Sequence, residues 1–203
     1  LRREDGRLAD RERALLERLL ARRRGRTQPA VDGKVVTGWN ALAGIGLVVA
    51  GRHLDLPELV TRAWRLHTEL YRRNVTVEDG GHGLRVARSS LGDKRSNGEF
   101  LEDYAALLLF ETYLAETWWE TSRHEEALPL RIEALRRGVL RFLDEHTQGG
   151  WVTSQTEDFD SLPADEFDAP TPSPIALAEL ALLRSDEFSA EPPLPNTLRT
   201  AVS

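Results

Sequence analysis

The chain has 203 residues but no cysteine and no methionine, and only Lys34 and Lys94 are lysines among its 27 basic residues. Without cysteine there can be no disulfide scaffold, thiolate metal site, iron–sulfur cluster or cysteine nucleophile within these residues. A surplus of positive charge is missing too. The formal net charge of −6 leaves no broad basic footprint for nucleic acid or for an anionic membrane. Long apolar runs are also absent: the longest, Ala41 to Ala50, is about half of what a bilayer span needs. The first twenty residues are charged and lack the apolar core of a secretory signal, so a cytoplasmic protein is expected. With no methionine and Leu1 at the start, the chain reads as a piece of a longer product. The arginines are dispersed, which fits a GC-rich genome better than a need for guanidinium groups.

What the chain does have is helical periodicity of two kinds. Trp39–Ala50, Phe100–Ala115 and Ile175–Leu183 are apolar on nearly every face, and such helices must be buried on every face. Glu58–Arg73 and Arg123–Glu145 carry one apolar stripe among charges, the pattern of helices with a solvent side. Arg7–Arg24 reads as a further charged helix. Asp55-Leu-Pro-Glu58 and Ser122-Arg-His-Glu125 have capping-box spacing, Ser173-Pro174 has the N-cap-then-proline pattern, and Asn97 or Asn97-Gly98 offers a cap for the second buried helix.

The loops repeat. Gly80-Gly81 and Gly149-Gly150 each follow a one-sided helix and precede a short extended run, roughly 70 residues apart. The unit is buried helix, exposed helix, glycine turn, short strand, then the next buried helix. Stacked units of this kind place the buried helices in an inner ring and the amphipathic ones outside. The expected fold is all-α: a partial α/α toroid of about two to three hairpins with short β-strands in its loops. One domain is expected over residues 1–184, with an irregular tail over 185–203 marked by Pro192, Pro193 and Pro195.

In such a ring the N-terminal ends of the inner helices share one mouth, where polar side chains can meet a ligand. Trp39 and Asn40 offer a stacking surface and a two-way amide, the means by which sugar rings are held; a core aromatic and a cap-region amide would look the same in sequence. Asp32 and Lys34 read as a binding pair or a loop salt bridge. Glu102 and Asp103 open the second buried helix. The helix dipole alone accounts for two carboxylates there, and a general acid/base pair is the functional alternative. Tyr104 and Asp168 complete the set of candidate binding residues. Six acidic residues between Glu157 and Asp168 match no calcium-loop spacing and read as a solvated loop. No histidine pair has metal-ligand spacing, so neither a metal nor another cofactor is expected.

Three motifs, in order, carry a resemblance: Asp32-x-Lys34-Val-Val-Thr37-x-Trp39-Asn40-Ala-Leu, Phe100-Leu-Glu-Asp-Tyr-Ala105 and Asp168-x-x-Thr171-Pro-Ser173. Over roughly Arg26 to Leu183 the chain resembles the helical region of the spermatogenesis-associated, YyaL-like thioredoxin-domain family. That resemblance implies a toroid similar to N-acylglucosamine 2-epimerases and six-hairpin glycosidase-like enzymes, with the thioredoxin-like domain outside the present chain. Leu162-Pro163-Ala164 stands where the family has basic residues, and Pro174-Ile175 where it has Gly-Asn, which implies altered ligand contacts.

Two functions follow as expectations. One is a carbohydrate-binding or carbohydrate-active domain, with Glu102 and Asp103 catalytic and Asp32, Lys34, Trp39, Asn40, Tyr104 and Asp168 binding a small carbohydrate. The other is a non-catalytic helical scaffold in a redox-linked multidomain protein. In both, the open edge of the ring is to be covered by self-association or by other segments of the parent chain.

Overall fold

The structure, a computed structural model, describes residues 10–78, 83–117, 127–144, 150–155 and 162–188. The chain divides into two compact units, Leu1–Gly33 and Lys34–Ser203. In the first unit α1 (Asp10–Arg24) has acidic residues in its first turn, arginines in its last and no buried residue.

The second unit holds five described helices: α2 (Thr37–His53), α3 (Pro57–Asn74), α4 (Leu101–Glu116), α5 (Leu128–Leu140) and α6 (Pro174–Ser185). Helix α4 is the centre. It packs between α2 and α6 and against α5, while α3 packs on α2. Thirteen of its residues are buried, among them Leu107, Leu108, Phe110 and Leu114. Each of these large side chains contributes about 1.5–3 kcal/mol by leaving water. Close approach depends on glycine at two places: a Cβ on Gly44 of α2 would lie 2.3 Å from Phe110 Cζ, and one on Gly138 of α5 would lie 2.6 Å from Tyr104 Cδ1.

Helices α2, α4 and α6 run in one direction. Their first turns meet around Gly38, Glu102 and Leu177, and their last turns meet where Glu116 pairs with both Arg52 and Arg184. The charges at that end suit the carbonyl-rich C-termini of α2 and α6. The outer helices contribute one face each. In α3 the buried set is Val60, Ala63, Trp64, His67, Leu70 and Asn74, which keeps the helical stripe.

Among the described residues seven short strands join the helices. They form a three-stranded sheet β1-β4-β5 (Val35–Val36, Ser89–Leu91, Lys94–Arg95) and two antiparallel pairs, β2-β3 (Val75–Val77, Leu84–Val86) and β6-β7 (Glu99–Phe100, Ser154–Gln155). Their registers place Val35 opposite Ser90, Val75 opposite Val86 and Phe100 opposite Ser154.

Local starts differ from the sequence reading in two places. Asp55 does not cap α3: it sits at φ 53°, the cap position is Leu56, and Pro57 fixes the first helical φ. Asn97 does not cap α4, because β6 intervenes and Phe100 takes the cap position. The second one-sided helix, expected over Arg123–Glu145, is described over Leu128–Leu140, and the Ser122–Glu125 capping box lies outside the described residues. Ser173 does cap α6, its Oγ accepting from Ala176 N–H at 3.3 Å with Pro174 at the first helical position. Among the described residues no helix is long and apolar enough to cross a membrane.

Candidate functional site

The converging first turns of α2 and α4 build a charged cluster around Asp103. Its Oδ1 accepts from Gly38 N–H at 2.8 Å, and its Oδ2 accepts from Arg88 Nη1 at 3.1 Å. Arg88 also pairs with Glu102, and its guanidinium lies 4.7 Å from the Phe100 ring centroid. One arginine therefore serves two neighbouring carboxylates. Their burial differs: the Asp103 side chain is fully buried, while Glu102 keeps 24% of its surface exposed.

Burial pushes the Asp103 carboxyl up to about 7, against the opposing pull of the Arg88 charge and the Gly38 N–H, with the Glu102 charge adding to the rise. Burial works against the Arg88 charge, yet Asp103 and Glu102 hold its pKa above the ordinary value. A carboxyl that titrates near neutrality beside a second carboxylate is the electrostatic arrangement used in acid–base chemistry.

A polar network fixes the segment that presents Gly38 and Arg88. Asn74 Nδ2 donates to Val35 O at 3.0 Å and to Thr37 Oγ1 at 2.7 Å, while Ser90 Oγ donates to Asn74 Oδ1 at 2.6 Å. Thr37 N–H donates to Arg88 O at 2.9 Å. All three side chains are buried, so each needs these partners to offset desolvation.

Beside this cluster a narrow cleft is lined by Trp39, Leu42, Glu102, Ala106, Thr171 and Pro172. Its volume of about 10 Å³ admits one water molecule. Trp39 stands at its edge, 60% exposed.

The candidate residues are thus brought together only in part. Trp39 and Glu102 line this cleft, and Asp103 is buried beside it through Gly38 and Arg88. Asn40 is near in sequence, but its Nδ2 donates to Val36 O at 2.7 Å within its own first turn. Asp168 accepts from Ser173 N–H at 2.8 Å and holds the turn that supplies Thr171 and Pro172. Asp32 and Lys34 are exposed, one in each compact unit.

Tyr104, also a candidate binding residue, lies away from this cleft. Two steps along a helix turn it about 200° from Glu102. It is buried against Gly138 and Phe142; its hydroxyl accepts from Val86 N–H at 3.0 Å and from Arg141 Nη2 at 2.7 Å, and bonds Glu99. Burial and the Glu99 bond both raise its pKa. His82, His124, His146, Trp118, Trp119, Glu157, Asp158 and Asp160 lie outside the described residues. Among the described residues no three His, Asp or Glu side chains are grouped to hold a metal ion.

With this geometry in view, comparison with known proteins gives two distant relatives. Spermatogenesis-associated protein 20 of Rattus norvegicus is 31% identical over 177 residues, covering 83% of this chain and 22% of the relative. The Mus musculus protein of the same name is 29% identical over 182 residues, covering 86% and 22%. The similarity supports the spermatogenesis-associated protein 20 family. The chain spans about 22% of the length of these relatives. No protein-family model matches it.

The similarity to spermatogenesis-associated protein 20 extends over most of the chain, and several site residues within it carry no motif of their own. Arg88 reads in sequence as an isolated loop arginine. Thr37, Asn74 and Ser90 are dispersed over more than fifty positions and meet only through β1, β4 and the end of α3. His67 sits on the apolar stripe of α3, but its Nε2 lies 2.8 Å from Glu111 Oε1 of α4, both side chains buried. The stripe signals burial, and nothing in its spacing signals a carboxylate partner.

Proposed function

We propose that the Lys34–Ser203 unit is part of an α/α toroid of the six-hairpin glycosidase-like kind and that its mouth binds a carbohydrate. The observation that carries this reading is the pairing of exposed Trp39 with Glu102 along one cleft. An exposed indole offers a flat apolar face to the C–H side of a sugar ring. Glu102 and Arg88 offer an acceptor and donors to the hydroxyls around that ring. The cleft is too small to enclose a sugar, so the ring stacks across Trp39 with its edge toward Glu102. Three parallel helices with adjoining first turns support the toroid reading, since an inner ring is built from such helices.

In acid–base chemistry Glu102 is the group placed to touch substrate, because it reaches solvent. Asp103 is fully buried and acts behind it by holding Arg88 and taking or releasing a proton near neutral pH. Epimerisation or hydrolysis of the bound sugar is the reaction class this pair suits. The second reading, a non-catalytic scaffold within a thioredoxin-domain protein, is favoured by the size of the cleft and by the existing partners of both carboxylates.

Titration of the 203-residue chain with mono- and disaccharides, followed by the indole and backbone NMR signals, separates the two. Shifts at Trp39 and around Glu102 that vanish in Trp39→Ala support the carbohydrate reading. A folded chain without any saccharide response overturns it in favour of the scaffold.

A further inference from the structure

We propose that the cavity between the β2-β3 pair and the segment Arg95–Glu99 binds the phosphate group of a small phosphate monoester. Its volume is about 310 Å³, and Thr76, Arg85, Arg95, Ser96, Asn97 and Glu99 are among the residues that line it. None of them lines the cleft beside Trp39.

The antiparallel register sets Thr76 opposite Arg85, so both stand on the face of β2-β3 that turns away from buried Leu84 and Val86. Arg95 ends β5 and reaches this face: its Nε donates to Arg73 O, its Nη2 to Arg72 O at 2.9 Å and its Nη1 to Thr76 Oγ1. Two of these acceptors are closing carbonyls of α3, which suit a cation. They do not exhaust the guanidinium. With five N–H donors, Arg95 keeps one on each terminal nitrogen. Arg85 meets Glu99 through Nε and Nη2 and keeps both donors of Nη1. Ser96 Oγ accepts from Ser89 N–H at 3.0 Å, which leaves its own proton to donate, and the Asn97 side chain has no partner among the described residues.

The charge balance selects the ligand. Glu99 is divided between Arg85 and Arg141 and Glu69 between Arg72 and Arg73, while Arg95 pairs with no carboxylate among the described residues. Even with Glu78 acting on Arg85 and Asp93 on Arg72, arginines outnumber carboxylates around the cavity. A phosphate monoester brings about two negative charges and three acceptor oxygens. That matches two guanidinium forks, a hydroxyl and an amide better than the single charge of a carboxylate does.

Nitrogen–proton NMR titration of the 203-residue chain with inorganic phosphate, glycerol 3-phosphate and acetate, at constant ionic strength, tests this. Saturating shifts at the Ser96 and Asn97 amides are expected for both phosphates with dissociation constants of roughly 0.1–10 mM, the ester binding at least as tightly as inorganic phosphate. Arg85→Gln should weaken both by roughly tenfold. Asn97→Asp breaks no side-chain bond within the fold and should weaken them similarly, because it adds a negative charge to the wall. The remaining amide signals show that each variant is folded. Trp39→Ala should leave the phosphate response intact, which keeps this result separate from the saccharide titration. Amides that fail to saturate by about 50 mM phosphate overturn the proposal. So do acetate binding as tight as phosphate, exclusion of the ester where inorganic phosphate binds, or affinities indifferent to Arg85→Gln and Asn97→Asp. A phosphate response lost in Trp39→Ala overturns it as well, by placing the ligand in the other cleft.

Discussion

Gly38 and Asp103 are joined so closely that the same carboxylate oxygen receives the glycine N–H at 2.8 Å and would lie 3.1 Å from any Cβ placed there. The contact ties the first turn of α2 to that of α4 and shields the carboxyl from water. Because the folded state holds the Asp103 proton up to about 7, against an ordinary value of 3.8, it binds a proton that the unfolded chain has released over this interval. Stability should therefore fall as pH rises from about 4 to about 7, by up to roughly 1.4 kcal/mol per pH unit, and level off above. Urea unfolding across this range should show the slope in the wild type and a flatter profile in Asp103→Asn.

The buried pair His67 and Glu111 leads to a second expectation. Both side chains are inaccessible, and His67 is surrounded by Trp64, Tyr71 and Phe110 at centroid distances of 5.8, 4.7 and 5.9 Å. Removing one partner strands a buried polar group, so Glu111→Ala should cost about 3–5 kcal/mol. The double change His67→Leu with Glu111→Leu should recover most of that loss, as measured by chemical denaturation. Equal losses in the single and double variants would rule out a stranded partner as the cause.

Gly44 is fixed by Phe110. A methyl group there falls within 2.6 Å of three ring atoms, so Gly44→Ala should destabilise by about 1–3 kcal/mol despite its better helix propensity. Phe110→Leu should relieve part of the strain, and a double-mutant cycle should return a coupling energy of about 1 kcal/mol. Strict additivity would contradict the close approach of α2 and α4.

Trp39 should behave in the opposite way. At 60% exposure it carries little of the core, so Trp39→Ala should change stability by less than about 0.5 kcal/mol. Its effect should appear in saccharide titration alone. A large loss of thermal stability would place the indole in the packing instead.

Two positions that look alike as helix caps should also separate. Ser173→Ala should cost about 1 kcal/mol, because its Oγ accepts from Ala176 N–H. Asp55→Gly should be neutral or stabilising by up to about 1 kcal/mol, because Asp55 occupies a positive φ and caps nothing. Differential scanning calorimetry of the two variants gives the comparison directly.

The contrast between Ser173 and Asp55 shows where sequence is a sufficient guide. Residues apolar on every face marked α2, α4 and α6 as helices of the core, but only α4 is buried all round; α2 leaves Trp39 exposed and α6 leaves Leu180 and Leu183 exposed, because each covers one flank of α4 only. Ser173-Pro174 was equally readable, since its hydrogen bond spans only three residues. Asp55-Leu-Pro-Glu58 has the right spacing, but the turn leaving α2 claims Asp55 first. Asn97 failed as a cap because Glu99–Phe100 pairs with Ser154–Gln155, a contact between two-residue strands without any periodicity. In the site, Trp39, Glu102 and Asp103 were legible as polar or aromatic residues at helix starts. Tyr104 is adjacent to them in sequence but faces Gly138 and Phe142, and Arg88 left no trace because its importance lies in meeting two carboxylates across the fold.

The central position of α4 has a dynamic consequence. Helices α2 and α6 each cover part of it, so neither can detach without wetting a segment that has no other shelter. Local opening on one flank therefore loosens the other, and the three helices should exchange their amide hydrogens as one cooperative block, slower than α3 and α5. A ligand seated on Trp39 would then be felt as added amide protection in the last turn of α6, at the opposite end of the helices from the surface it touches.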